Sequence, residues 1–100
     1  MIYTISFHPI ALNEYKAASI WYEQQQEGLG LRFEKAIDNK IKQVLHNPLA
    51  FTKNKRSYRQ ASTRTFPFVI VFKINSRKHQ VYISAIYHTS RHPRSKYRKP

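Results

Sequence analysis

The longest uninterrupted apolar pattern in the chain lies at residues 64–74. Side chains of a strand alternate between two faces, and here both faces are mostly apolar. This pattern is typical of an interior strand that is covered on both sides. Pro67 has no N–H to donate to a neighbouring strand, so the first residues of the segment should lie at an edge or a bulge. One face holds Phe66, Phe68, Ile70, Phe72 and Ile74, and the other holds Thr65, Pro67, Val69, Val71 and Lys73.

Two segments before this strand have helical periodicity. The first helix should begin near Pro9, because proline is favoured in a first turn, and should end within residues 24–27, because Gly28-Leu-Gly30 follows. The second should start near Gly30 and end at Asn47-Pro48. Because few residues separate them, the two helices should form an antiparallel hairpin. Their apolar stripes are Ala11, Tyr15, Ala18 and Tyr22 in the first and Phe33, Ile37, Ile41, Val44 and Leu45 in the second.

Three further segments have strand character, at residues 2–7, 56–62 and 80–88. The segment 56–62 has the weakest strand character of the three and can pair with 65–74. The segment 80–88 follows the polar turn 75–78, so it should form an antiparallel hairpin with 65–74. Strict alternation would place Val81, Ile83, Ala85 and Tyr87 on one face, and Tyr82, Ser84, Ile86 and His88 on the other.

The predicted order of elements indicates an α+β fold. An N-terminal strand and an antiparallel helix hairpin precede a three-stranded, mainly antiparallel sheet that packs against the helices. One hundred residues form one domain, 1–100, with a basic tail at 89–100. No segment approaches the roughly 20 apolar residues of a membrane span, and the N-terminus lacks a signal-peptide pattern, so a cytoplasmic protein is expected. The absence of cysteine excludes disulfides, thiolate chemistry and cysteine-based zinc sites.

Charge is divided unevenly between the two halves of the chain. Residues 1–50 hold five basic and five acidic side chains, whereas residues 51–100 hold thirteen basic side chains and no acidic one. Thirteen like charges repel one another in a compact state, which favours an anionic partner over a surface that is basic for solubility alone. Nucleic acid, an acidic protein or both would satisfy this requirement.

Four sequence pieces follow one another along almost the whole chain. They are Trp21-Tyr-Glu-Gln-Gln with Gly28-Leu-Gly30 and Phe33, then Asn47-Pro48, then Tyr58-Arg59 leading to Arg64-Thr-Phe-Pro-Phe68, and finally Ile86-Tyr-His-Thr-Ser-Arg-His-Pro93. In this order and in a chain of this length, they resemble the RelE/ParE superfamily, the toxins of type II toxin–antitoxin systems. The Trp-Tyr, Gly-Leu-Gly and Phe-Pro-Phe pieces are most similar to its ParE-like, plasmid-stabilisation branch.

This resemblance implies a compact, growth-inhibiting toxin that a cognate antitoxin, expected to be acidic, wraps and neutralises. ParE-like members poison DNA gyrase, and RelE-like members cut mRNA on the ribosome. The ParE-like target is expected first, because of the pieces above and because no complete nuclease set can be matched. The alternatives are a RelE-like mRNA endonuclease and, from another class, a non-toxic basic module that binds nucleic acid.

An enzyme built on this sequence would be a metal-independent endoribonuclease without a cofactor. Magnesium sites need carboxylates, and the second half has none. Arginines can bind phosphate through two parallel hydrogen bonds, and histidine can move protons near neutral pH. Arg59 and Arg64 also match positions where the superfamily places basic residues, and His88 and Arg91 fall at the end of the last strand, where nuclease members also keep functional residues. The candidate catalytic residues are therefore Arg59, Arg64, His88 and Arg91, with His92 as a second possible proton carrier.

Each candidate has a structural interpretation as well. Arg59 and Arg64 can be solvated strand residues, and His88 can cap the sheet through a hydrogen bond. For the antitoxin, a free strand edge near 56–62 could accept an added strand. Arginines along that region would then meet acidic residues of the partner, which mainly affects association rate and salt sensitivity.

Overall fold

Two helices lie on one side of a five-stranded sheet. The computed structural model of the protein describes residues 2–54, 56–91 and 93–100. The sheet order is β1-β5-β4-β3-β2; β1 runs parallel to β5 and every other neighbouring pair is antiparallel. The predicted α+β class is confirmed, with five strands rather than three. The elements are β1 (Thr4–Phe7), α1 (Pro9–Gln25), α2 (Leu29–His46), a 3-10 turn (Pro48–Ala50), β2 (Thr52–Lys53), β3 (Tyr58–Ser62), β4 (Phe68–Asn75) and β5 (Gln80–His88).

The Gly-Leu-Gly piece closes the helix hairpin. Gly28 has φ +84°, a left-handed conformation that glycine adopts without strain. A Cβ on Gly30 would lie 2.7 Å from the backbone oxygen of Ser19, so only glycine lets the helices approach this closely. The Glu23 carboxylate accepts hydrogen bonds from the N–H groups of Gly28 (2.9 Å) and Gly30 (3.0 Å) at the beginning of α2. The carboxylate thus satisfies two N–H groups at the beginning of α2 and lies favourably at the positive end of the helix dipole.

The main core lies between the helices and the sheet. The predicted stripe of α2 is confirmed, because Phe33, Ile37, Ile41 and Val44 are buried. The Phe33 ring centroid lies 4.9 Å from that of Phe68 in β4 and 5.5 Å from that of Phe66. Such aromatic contacts add to the free energy gained by burying the rings. This cluster fixes the helices on the sheet.

Helix α1 carries apolar residues on both its inner and outer sides. Ala11 is fully buried and Tyr22 packs against the core, with its ring centroid 4.8 Å from that of Phe66. Ile20 and Trp21 face outward and are 60% and 55% exposed. Neither helix of the described chain combines the length and the apolar character that a membrane span requires.

A β-bulge in β5 corrects the predicted alternation of its side chains. Val71 pairs with Ala85 and Phe72 pairs with Ile83, so Ser84 is the extra residue. An extra residue inverts the faces of the residues that follow it. Val81, Ile83 and Ile86 therefore lie in the core under the helices, whereas Ala85 and Tyr87 lie on the opposite side of the sheet. The prediction of one unbroken alternation was wrong at this point.

Strand β4 is shorter at its beginning than the predicted strand at 64–74. It begins at Phe68, directly after Pro67, and residues 63–67 form the connection from β3. The Pro67 carbonyl accepts a hydrogen bond from the Thr89 N–H (2.7 Å), which joins this connection to the end of β5. The imino nitrogen of proline thus lies outside the ladder, as its missing N–H requires.

Candidate functional site

Arg59 is engaged in holding a loop. It lies on the helix side of β3, and its Nη1 donates hydrogen bonds to the carbonyls of Phe51 (2.8 Å) and Leu49 (3.5 Å). These carbonyls belong to the segment between α2 and β2. A guanidinium that satisfies two backbone oxygens stabilises this segment and has fewer donors left for a phosphate.

Arg64 lies in the β3–β4 connection and is exposed. It lines a shallow groove of about 420 Å³ between this connection and α2. Lys40 lines the same groove, and its Nζ donates to Gln43 (3.1 Å). Two cations without a lining carboxylate make the groove suitable for an anion.

His88 ends β5 and is half-buried. Its Nδ1 accepts a hydrogen bond from the Ser90 N–H (3.0 Å) and lies 2.7 Å from the Ser90 hydroxyl. Its ring meets Phe68 edge-on at a centroid distance of 5.4 Å. Arg91 is exposed and its N–H donates to the His88 carbonyl (2.9 Å). The Nδ1 atom is thus occupied in a turn, and any proton transfer would use Nε2.

The four predicted catalytic residues do not form one cluster. Arg64, His88 and Arg91 share the end of the sheet where β5 ends. Arg59 pairs with Phe72, four residues further along β4 than the Phe68 that pairs with His88. Four residues along a strand and two strand spacings separate the Arg59 and His88 Cα atoms by about 16 Å. A catalytic role for these residues stays a prediction, and His92 lies outside the described residues.

The predicted free strand edge at 56–62 is partly occupied. Strand β2 pairs with β3 at Arg59 and Gln60, so β2 is the outermost strand on this side of the sheet. A two-residue strand leaves too short a pattern to be recognised in sequence. An added strand would have to pair with β2 or with the part of β3 beyond it.

The side of the sheet away from the helices, here named the open face, has its own small cluster. Its floor is formed by two tyrosines and three small apolar residues of β3, β4 and β5. These five side chains are buried, although no helix covers them. They are Tyr58, Val69, Val71, Ala85 and Tyr87, with Tyr97 packed against them.

Residues 96–99, here named the tail segment, lie across the open face. Hydroxyl groups of the sheet donate to its backbone carbonyls: Tyr58 to Arg98 (3.1 Å), Tyr82 to Lys99 (3.1 Å) and Ser84 to Lys96 (2.5 Å). The Arg98 N–H in turn donates to the Ser84 hydroxyl (2.6 Å). The predicted basic tail thus contacts the sheet through its last residues.

Lysine amines stand over the tyrosine rings of this face. Lys73 Nζ lies 5.2 Å from the Tyr58 ring centroid. Lys96 Nζ lies 5.6 Å from the Tyr87 centroid and 5.3 Å from the Tyr97 centroid. Cation–π attraction holds each amine in place while its N–H donors stay available to an anion.

The phenol of Tyr82 is a hydrogen-bond donor at neutral pH. Burial raises the pKa of Tyr82 above its ordinary value of 10.0, Tyr58 raises it further, and the charge of Arg98 opposes the rise. A phenol that stays protonated donates to the tail carbonyl and does not accept a proton from substrate. The open face therefore offers the amines of Lys73 and Lys96 to an anion, whereas the Tyr82 hydroxyl is already used by the tail carbonyl.

Sequence reasoning found only part of this face. Lys73 was assigned to the same strand face as Val69 and Val71, which is correct. The roles of Tyr58, Lys96 and Arg98 were missed, because isolated residues of a weak strand and of a tail carry no periodic signal. The described residues include no group of three or more His, Asp or Glu side chains that could hold a metal ion.

Comparisons with known proteins relate the chain to solved toxin structures. No protein-family model and no curated protein matches it. The isolated E. coli RelE toxin is 18% identical, with a TM-score of 0.67 over 90% of this chain and 87% of that chain. The toxin–antitoxin complex RelBE2 from Mycobacterium tuberculosis is 13% identical, with a TM-score of 0.62 over 88% and 99%. The intact E. coli RelBE toxin–antitoxin complex is 18% identical, with a TM-score of 0.67 over 89% and 99%. The chain therefore has the RelE-type fold, whereas the ParE-like branch stays a prediction.

Proposed function

We propose that this protein is the toxin of a type II toxin–antitoxin pair, and that it arrests growth until an antitoxin protein neutralises it. The observation that carries this proposal is the RelE-type fold over nine-tenths of the chain. The excess of thirteen basic side chains in the second half supports an acidic antitoxin. Two of the similar structures are toxin–antitoxin complexes, which is consistent with a partner of this kind.

We place DNA gyrase first as the target. A toxin that poisons gyrase by binding needs a surface rather than a set of proton-transfer groups. Arg59 is engaged with backbone carbonyls and His88 Nδ1 with Ser90, so two of the four catalytic candidates already have partners within the described chain. Their separation also argues against a shared reaction centre.

A ribosome-dependent mRNA endonuclease is the second candidate, and the open face favours it. RNA cleavage without metal needs cations that stabilise the charged phosphorane and donors near the leaving oxygen. Lys73 and Lys96 lie beside tyrosines there. On this alternative the open face, rather than the predicted arginine set, would hold the scissile phosphate.

Two assays of purified protein distinguish these targets: gyrase supercoiling, and mRNA cleavage on programmed ribosomes. The proposal expects inhibited supercoiling and intact mRNA. The double variant Lys73→Ala/Lys96→Ala tests the open face, and Lys35→Ala/Lys42→Ala removes the same charge from the exposed side of α2. Cleavage that is lost only in the first double variant would support the endonuclease instead.

Expression in cells tests the toxin class itself. Growth should stop when the protein is expressed alone and should recover when its antitoxin is co-expressed. Normal growth in a responsive host, together with salt-dependent binding to DNA or RNA, would contradict the proposal and favour a non-toxic nucleic-acid-binding module.

A further inference from the structure

Strand β5 has an outer edge that β1 covers only in part. Strand β1 ends at Phe7, which pairs with Ile83, and the bulge at Ser84 follows immediately. Backbone groups beyond this point need other partners, because unpaired polar groups are costly when buried. The Ile86 N–H donates to Glu14 Oε1 (3.0 Å), and the Ser84 carbonyl accepts from Arg98 Nη1 (2.9 Å).

The two side chains that complete this edge also bind each other. Arg98 Nη1 and Nη2 donate to Glu14 Oε1 (3.0 Å) and Oε2 (3.2 Å), a two-pronged pair. The side chains are only 11% exposed for Arg98 and 23% for Glu14. Charge-assisted pairs of this geometry are the strong ones, and breaking one where water is excluded is costly.

Glu14 thereby links three parts of the molecule. It lies on α1, caps the free edge of β5 and holds the tail segment that crosses the open face. The second half of the chain contains no acidic residue, so Arg98 can find a carboxylate side chain only in the first half. Its pair with Glu14 is the one ion pair between residues that the structure describes.

The neighbours of Arg98 are residues of the open face. Lys96 stands over Tyr87, and the Tyr97 ring centroid lies 5.2 Å from that of Tyr58. The position of both side chains depends on the backbone of the tail segment. That backbone is held by sheet hydroxyls, and the side chain of Arg98 ties it to Glu14.

We propose that Glu14 is a positioning residue for the open face: by holding Arg98, it places Lys96 and Tyr97 over the tyrosine floor. The tail segment is then part of the functional surface and not merely its cover. The functional part of this inference rests on the proposed toxin activity. The positioning part concerns the purified protein alone and can be tested separately.

Amide hydrogen exchange of the purified protein tests the positioning. Glu14→Gln keeps an oxygen for the Ile86 N–H but loses the charge that pairs with Arg98. Exchange at the Arg98 amide should become about tenfold faster or more, with amides of β4 unchanged. Glu27→Gln removes one exposed carboxylate elsewhere and should leave Arg98 unchanged. Equal exchange at Arg98 in the Glu14→Gln and wild-type proteins would overturn the proposal.

Arg98→Gln and the double variant show whether Glu14 acts through Arg98. If it does, the double variant should exchange no faster than the faster single variant, because both changes break one interaction. If the increase in exchange rate in the double variant equals the product of the increases in the two single variants, the proposal is contradicted. Arg98→Gln also serves as the test if Glu14→Gln does not fold, because it breaks the same ion pair from the tail segment and leaves α1 unchanged.

Growth arrest tests the functional part. Glu14→Gln should need about tenfold more expressed protein for the same arrest, whereas Glu27→Gln should match the wild type. Stronger arrest by Glu14→Gln would mean that the tail segment covers the site, which overturns the functional part. If the wild-type protein does not arrest growth, the proposed function fails, and the exchange experiment still decides the positioning.

Discussion

The two sides of the sheet are covered in different ways. On the helix side, two long helices bury large rings and branched side chains, including Phe33, Ile37 and Phe72 at 0% exposure. On the open face, one tail segment covers small residues and tyrosines and is joined to the sheet by hydrogen bonds. The first covering comes from the electrically neutral half of the chain and the second from the basic half.

This difference assigns the two sides of the sheet different roles: the helix side stabilises the fold, and the open face is the side suited to binding. Apolar burial under regular elements supplies most of the free energy of folding. A segment held by hydrogen bonds and one ion pair can open without unfolding the rest, since local opening needs only part of the global free energy. Binding surfaces are often drawn from such less stable regions, which agrees with the site argued above.

The largest expected effect is on the helix side. Phe33→Ala should lower the free energy of unfolding by about 3–5 kcal/mol, because it removes a ring from a closed core. Val71→Ala on the open face should cost about 1–2 kcal/mol, from two buried methyl groups. Urea unfolding of both variants measures the difference. Equal losses of unfolding free energy would mean that the two sides of the sheet contribute alike to stability, which would contradict the comparison.

The next largest effect is a difference in stability between variants of Arg59 and Arg64, two of the predicted catalytic residues. Arg59→Ala should lower the free energy of unfolding by about 1–2 kcal/mol, because the carbonyls of Phe51 and Leu49 lose a charged donor. Arg64→Ala, at an exposed position, should change it by less than about 0.5 kcal/mol. Thermal unfolding under the same buffer conditions measures both. A destabilising Arg64→Ala together with a neutral Arg59→Ala would reverse the assignment.

The smallest effect is expected in an alkaline titration of the tyrosines. Burial raises the pKa of Tyr15, Tyr22 and Tyr82 above 10.0, and the charges of Asp38 and Glu34 raise that of Tyr15 further. A raised folded-state pKa contributes stability that is fully present below pH 10.0 and is lost as the pH rises through the folded-state pKa. Phenolate absorbance should show late-titrating tyrosines, and Tyr82→Phe should remove one. Titration of every tyrosine at the ordinary value in the folded protein would refute this.

Regular periodicity predicted the helix side well. The stripe of α2 and the limits of both helices follow from 3.6-residue spacing, Pro9 and the glycines. Strand β2 was missed, because two residues cannot show a period. The side chains of β5 followed the predicted alternation only up to the bulge, so Tyr87 lies on the side opposite to the predicted one. No sequence signal marked the extra residue.

The candidate site was predicted less well, because its contacts join residues far apart in sequence. Glu14 and Arg98 lie 84 positions apart, and neither belongs to a motif. The Gly-Leu-Gly piece, by contrast, was easy to recognise, and the structure gives it a role in closing the helix hairpin. A motif that shapes the fold is weak evidence about function, so the two proposed targets are better distinguished by variants of the open face.

The single additional residue at Ser84 has a consequence for aligning distant homologues of this chain. A homologue without it would need a one-position gap inside its final strand, where alignments are usually kept free of gaps. Without that gap, Ile86 would be matched to the homologue's equivalent of Tyr87, which lies on the opposite side of the sheet. Comparisons of residue identity near the end of this strand should therefore be made from superposed backbones.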